Sequence, residues 1–121
     1  MKKSFILFLI LFTSQLFAQT LKTVNLTFSG YTNYATITLA LSGAASGTTI
    51  CVAAGTYNEP QFTIQSGVTV IGGFPTNATT LTQRIYSGVA TTSQFTILDG
   101  NNKHRVAKVS GTLDGSVITK G

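Results

Sequence analysis

The chain has 121 residues, a length that is enough for one domain. Its formal net charge is +5, and only 9% of its residues are charged. Its single cysteine, Cys51, excludes an intrachain disulfide and a cysteine-rich metal site. Three acidic residues are a poor supply for calcium, which takes about six to eight oxygen ligands. The basic residues lack the dense stripe of a nucleic-acid-binding surface.

Residues 1–18 have the organisation of a secretory signal peptide. A basic start at Lys2 and Lys3 is followed by the apolar run FILFLILF and, at the end, by the small residue Ala18. The apolar run is too short for a membrane anchor, which needs about 20 residues. We therefore predict cleavage after Ala18, a secreted or cell-surface location, and no membrane span in the mature chain.

Residues 19–47 are predicted to form an N-terminal cap region, because they include a helical spacing of apolar residues that is not found after residue 47. Within the segment YATITLALSGAAS (34–46), three apolar residues share one helical face: Ile37, Leu41 and Ala44. Thr36 would cap the start of this helix and Gly47 would end it. The threonine-rich half suits a strand equally well, and either element would cover the first turn of a repetitive fold.

From residue 48 onward, short runs of β-branched and aromatic residues alternate with Gly, Asn and Asp. Each run has the length of a strand: TTICV (48–52), QFTI (61–64), VTVIGG (68–73), QFTIL (94–98), RVAKVS (105–110) and SVIT (116–119). Twenty residues separate Ile50 from Val70, and twenty separate Ile97 from Val117. This repeat predicts a β-solenoid with one longer loop at residues 75–93.

An antiparallel sandwich is the alternative fold for strands of this length. It should show tight two-residue hairpins, and Asp99 with Gly100 is the one candidate in the sequence. In the solenoid, glycines would occupy sharp bends with positive φ, namely Gly55, Gly72, Gly73 and Gly100. The apolar side chains expected to face inward are Ile50, Val52, Ile64, Val68, Val70, Ile97, Val106 and Val117.

The segments GTTICVAAGTYNE (47–59), SGVTVIGGFP (66–75), TILDGN (96–101) and HRVAKVSG (104–111) resemble the opening turns of secreted bacterial parallel β-helix proteins, the pectin-lyase-like superfamily. The resemblance covers residues 35–121. It implies an all-β fold, with a right-handed parallel β-helix over residues 48–121 that continues beyond this chain. Cys51 stands where a tyrosine or apolar residue is usual in the family, which implies a packing role.

Three residues are candidate ligand contacts: Tyr86, His104 and Arg105. His104 and Arg105 would bind an acidic sugar or phosphate, or would simply lie at the surface. Six aromatic residues would either stack on sugar rings or pack within the protein: Tyr31, Tyr34, Tyr57, Phe62, Phe74 and Tyr86. Tyr86, in the 75–93 loop, is the best candidate for stacking on a sugar. Asp99 more naturally serves the turn of LDGN. We predict no catalytic residue, metal ligand or cofactor.

These features favour the N-terminal fragment of an exported β-helix protein that acts as a structural or binding scaffold. Its expected partner is a polysaccharide or cell-surface glycan, and not nucleic acid. The alternative is the N-terminal part of a polysaccharide lyase or glycoside hydrolase, an enzyme class that the resemblance implies, with catalytic turns downstream. A third hypothesis is self-association through the last turn, because uncovered strand edges invite pairing.

Overall fold

The computed structural model describes residues 20–85 and 95–121, which leaves the predicted signal peptide and Tyr86 outside. This part of the chain is mostly β-strand with little helix. None of its helices is long and apolar enough to cross a membrane. In chain order the elements are β1 (Thr20–Val24), β2 (Asn33–Tyr34), α1 (Ile37–Leu41), β3 (Thr48–Ala53), β4 (Gly55–Tyr57), β5 (Phe62–Ile64), β6 (Thr69–Phe74), the 3-10 helix η1 (Leu81–Gln83), β7 (Thr96–Asp99), β8 (Ala107–Val109), β9 (Thr112–Asp114) and β10 (Ser116–Thr119).

The strands form three sheets, and every strand pair in the described residues is parallel. The first sheet has the order β2-β1-β3-β6-β9, the second β10-β7-β4, and the third β5-β8. From β3 to β10 the chain visits the first, second and third sheets in that order and then repeats the cycle. The antiparallel sandwich considered above is therefore wrong for this part of the chain.

The two 20-residue intervals of the sequence correspond to paired strands. Ile50 on β3 pairs with Val70 on β6, and Ile97 on β7 pairs with Val117 on β10. The next step in the first sheet is longer, because Thr69 on β6 pairs with Thr112 on β9, 43 residues away. The additional length lies in the connection between β6 and β7, where the sequence predicts a loop.

The inner core lies between the three sheets. Six of the eight side chains predicted to face inward are buried there: Ile50, Val52, Ile64, Val68, Val70 and Val106. The prediction is wrong for Val117, which is 40% exposed, and for Ile97, which is only half-buried. On β7 the fully buried positions are instead Thr96 and Leu98. The Thr96 hydroxyl is hydrogen-bonded to the backbone inside the fold, so Thr96 and Leu98 share the buried face of β7 and Ile97 lies on the opposite face.

A second apolar cluster, called here the lateral cluster, covers the outer face of the first sheet. Its buried members are Leu26, Phe28, Cys51, Ala53, Phe74 and Ala78. The rings of Phe28 and Phe74 meet edge-to-face with centroids 5.8 Å apart. Strand β3 is consequently buried on both faces, with Ile50 and Val52 inside and Cys51 outside. The sequence prediction of a packing role for Cys51 is confirmed.

Helix α1 is shorter than the segment predicted from the sequence. The Thr36 side chain accepts a hydrogen bond from the Leu39 amide at 3.1 Å, so the predicted N-cap is confirmed. The helix ends at Leu41 and not at Gly47, because Ser42 is already extended with φ −61° and ψ 122°. Ile37, Ala40 and Leu41 bury the inner side of α1 in the core.

The glycine pair after Ile71 lies within β6 and not beyond its end. The register with β3 shifts by one residue here, so Ala53 pairs with Phe74, and the extra residue forms a β-bulge. Gly73 has φ +85°, as the sequence predicts, but Gly72 and Gly100 are not in the positive-φ region. A Cβ at Gly72 would lie 2.6 Å from the Gly115 carbonyl oxygen, so close backbone approach explains that glycine.

Candidate functional site

The three carboxylates of the chain, Glu59, Asp99 and Asp114, each have a different hydrogen-bonding partner. Asp99 accepts a hydrogen bond from the Asn101 amide at 2.7 Å, in a turn where Asn101 and Asn102 have φ +53° and +58°. The turn role predicted for Asp99 is confirmed. Across residues 20–85 and 95–121, no three His, Cys, Asp or Glu side chains are grouped closely enough to hold a metal ion.

Glu59 binds the start of α1. Its carboxylate accepts hydrogen bonds from the amides of Ile37 and Thr38 at 2.9 and 2.8 Å, and from the Thr38 hydroxyl at 2.6 Å. A carboxylate at this position satisfies the free amides of the first turn and complements their partial positive charge. The side chain therefore joins α1 to the loop after β4, a contact between residues 21 and 22 positions apart that the sequence does not indicate.

Arg84 and Asp114 border a cleft beside the bulge in β6. The Arg84 guanidinium donates to the Gly72 carbonyl at 2.8 Å and to the Asp114 carboxylate at 3.4 Å. Its side chain is only 9% exposed, whereas that of Asp114 is 62% exposed. The adjacent Ile85 amide donates to the Gly73 carbonyl at 2.8 Å. These bonds fix the near end of the long β6–β7 connection and occupy the charged groups of the cleft.

Cys51 is not available as a nucleophile. Its side chain is fully buried in the lateral cluster. Burial raises the pKa of its thiol from 9.0 to about 12, and the charge of Arg84 lowers it only in part. A thiol that stays protonated and inaccessible at neutral pH has no thiolate with which to attack a substrate.

His104 and Arg105 lie at the rim of the described fold, next to β8. His104 is half-buried, with Nδ1 3.0 Å from the Arg105 carbonyl oxygen, and Arg105 is exposed. Arg105 and Lys120 border a shallow cleft of about 510 Å³ with Val106 and Ile118 among its lining residues. The sequence prediction named Arg105 but missed Lys120, which lies 15 positions away and whose carbonyl accepts a hydrogen bond from the Asn102 amide at 2.8 Å.

The six aromatic residues divide sharply in exposure, and Tyr86 lies outside the described residues. Tyr57 is buried, and its hydroxyl donates to the Ala53 carbonyl at 3.0 Å. Tyr34 is half-buried, with the Lys22 ammonium 5.1 Å from its ring centroid. Phe62 and Phe74 are also buried. Tyr31 is 50% exposed, which makes it the one aromatic of the five described with a large open face.

Tyr31 borders a groove on the side of the fold, called here the Tyr31 groove. Its volume is about 290 Å³ and its lining residues are Leu21, Phe28, Ser29, Tyr31, Thr79, Thr80 and Leu81. None of these seven residues carries a charge. The sequence prediction named Tyr31 only as one of six aromatic residues and did not use the sequence FSGY (28–31), which would indicate a turn, and nothing in the sequence links Tyr31 to the segment at 79–81.

Comparisons with protein-family models, with curated proteins and with solved structures returned no match to this chain.

Proposed function

We propose that the chain is part of an exported, right-handed parallel β-helix scaffold that binds glycans and carries no catalytic site in these residues. The single observation that supports the scaffold best is the repeated visiting order of the three parallel sheets from β3 to β10. The signal-peptide pattern of residues 1–18 supports export. The pectin-lyase-like resemblance of the sequence agrees with both features.

The strand order supports a helical path of the backbone. A chain that returns to the same sheet after each cycle, one strand further along, winds around a common axis. Two such returns occur after 20 residues, at Val70 and at Val117. The right hand follows from general stereochemistry, since about 98% of crossovers between parallel strands in one sheet are right-handed.

Binding is favoured over catalysis because the described ionisable groups are dispersed. General acid–base chemistry needs a donor and an acceptor within hydrogen-bond reach of one reacting atom. Glu59 is engaged with α1, Asp99 with its own turn, and Asp114 lies beside Arg84. Among the exposed features of the described residues are the Tyr31 groove and the basic cleft at Arg105 and Lys120. Both are suited to contact with a ligand.

The test uses the full chain, expressed with its own leader and collected from the exported fraction. Mass spectrometry should find a mature chain that begins at Gln19. A glycan array and co-sedimentation with insoluble polysaccharides should show binding that unlabelled glycan competes. Absorbance assays on polygalacturonate with calcium should show no cleavage. Failure to bind any glycan would overturn the binding role, and measurable cleavage would overturn the non-catalytic one.

A further inference from the structure

We infer that the Tyr31 groove binds a single ring of a neutral sugar, with one face of the sugar stacked on Tyr31. This inference rests on the proposed glycan-binding function and adds to it a location and a ligand class. It depends on three features of the groove, namely fixed walls, an uncharged lining and a size suited to one ring.

The first wall is a tight turn at residues 28–31. The Tyr31 amide donates to the Phe28 carbonyl at 3.4 Å, and Gly30 at the third position has φ +83°. Such a φ is typical of the third residue of a type II turn, where glycine is preferred. Phe28 is 6% exposed and packs edge-to-face on Phe74. The turn that carries Tyr31 is therefore anchored in the lateral cluster.

The opposite wall is the start of η1. The Gln83 side-chain oxygen accepts hydrogen bonds from the amides of Thr79 and Thr80 at 2.6 and 3.1 Å. Ala78, directly before them, is 1% exposed and belongs to the lateral cluster. Leu81 consequently projects from a fixed position and is 48% exposed.

Because both walls rest on the same buried cluster, the groove exists before any ligand arrives. A preformed site loses less conformational entropy on binding than one that must be ordered by its ligand. Its volume of about 290 Å³ lies just below the roughly 300–1,000 Å³ usual for small-ligand sites. A single ring fits this size better than an extended chain within the groove.

The lining selects for a ligand that is uncharged and has both apolar and polar surfaces. Tyr31 and Leu81 offer apolar surface to the C–H face of a sugar ring, and Ser29 offers a hydroxyl to its rim. The Thr79 hydroxyl is bonded to the Gln83 side chain and the Thr80 hydroxyl to that of Thr82, and their oxygens can still accept a hydrogen bond from a sugar hydroxyl. No lining residue is charged, so a uronate carboxylate would lose water there without gaining a counter-charge. Acidic sugars should prefer the separate cleft at Arg105 and Lys120.

The experiment titrates the exported full chain with neutral cello-, manno- and galacto-oligosaccharides and, in parallel, with oligogalacturonate, by calorimetry. At least one neutral series should bind. Tyr31→Ala should weaken its affinity by about tenfold or more, because the stacking face is lost. Tyr31→Phe, which keeps the ring, should restore most of that affinity. Leu39→Ala is the matched control, since Leu39 is 53% exposed on α1 and outside the groove.

Circular dichroism of each variant first verifies that the fold is retained. If neutral sugars bind with equal affinity to Tyr31→Ala, the groove is not their site, although the glycan-binding function stands. If only oligogalacturonate binds and Arg105→Ala abolishes that binding, the inference is likewise wrong and the function stands. If no glycan binds at all, the inference and the proposed function both fail.

Discussion

Thr96 is a buried polar residue whose hydroxyl connects the first and second sheets. Its side chain is fully buried. The Gly73 amide donates to its Oγ1 at 3.0 Å, and the hydroxyl itself donates to the carbonyls of Ala53 and Val52 at 3.0 and 3.2 Å. Replacement by valine keeps nearly the same shape but removes every one of these bonds. Thr96→Val should therefore destabilise the fold through hydrogen bonding and not through packing.

The magnitude follows from which groups lose their partner. The Ala53 carbonyl still accepts a hydrogen bond from the Tyr57 hydroxyl in the variant. The Gly73 amide, in contrast, has no other acceptor that the structure shows at its position. One buried donor left without a partner costs about 1–3 kcal/mol. For a domain of this size, that cost corresponds to a fall in Tm of about 4–8 °C per kcal/mol.

Urea unfolding followed by circular dichroism gives the free energy of unfolding for wild type, Thr96→Val and Thr96→Ser. The serine variant is the matched control, because it keeps the hydroxyl and loses only a methyl group, at about 0.8 kcal/mol. Thr96→Val should lower the free energy of unfolding more than Thr96→Ser does. A valine variant as stable as wild type, or more stable than the serine variant, would refute the assigned role of the hydroxyl.

Two further predictions concern Cys51 and the alternation of β7. The raised pKa of Cys51, from 9.0 to about 12, means that the unfolded chain releases the thiol proton first. The free energy of unfolding should therefore fall between pH 9 and about 12, by up to ~1.4 kcal/mol per pH unit. Urea unfolding at each pH measures this dependence, and the part of it due to the thiol should be absent in Cys51→Ala. Leu98→Ala, at a 1% exposed position, should cost about 2–5 kcal/mol, and Ile97→Ala clearly less by the same assay. Equal costs would contradict the observed alternation.

The spacing of the repeat could be predicted from the sequence because it is a property of the chain path. Residues one repeat apart are paired neighbours in a parallel sheet, so apolar residues recur at a fixed interval whichever face they occupy. That is why Ile50 with Val70 and Ile97 with Val117 mark true partners. Which face they occupy is a separate matter. The adjacent apolar residues Ile97 and Leu98 do not indicate which of them faces inward; in the fold the buried face of β7 carries Leu98 and the hydrogen-bonded Thr96.

Contacts between distant segments were beyond sequence reasoning for a different reason. Glu59 meets the amides of α1 across 21 and 22 positions, and this pairing leaves no periodic trace. Tyr31 and Tyr57 are chemically identical, yet one is 50% exposed and the other 9%. Their exposure depends on which neighbouring segments cover them. The candidate site is formed by two segments that are distant in sequence, around 28–31 and 79–81, and only the fold brings them side by side.

Paired strands of the first sheet are separated by different numbers of residues, 20 between β3 and β6 and 43 between β6 and β9, and this difference has a consequence for protein engineering. The first sheet keeps parallel pairing whether its successive strands are 20 or 43 residues apart, so strand pairing does not depend on the length of the connection. Doubling a flexible loop costs only about 0.6 kcal/mol in closure entropy. Arg84 fastens the near end of this connection to the Gly72 carbonyl. A peptide inserted into the connection between β6 and β7 should accordingly leave the parallel pairing of β6 with β9 intact.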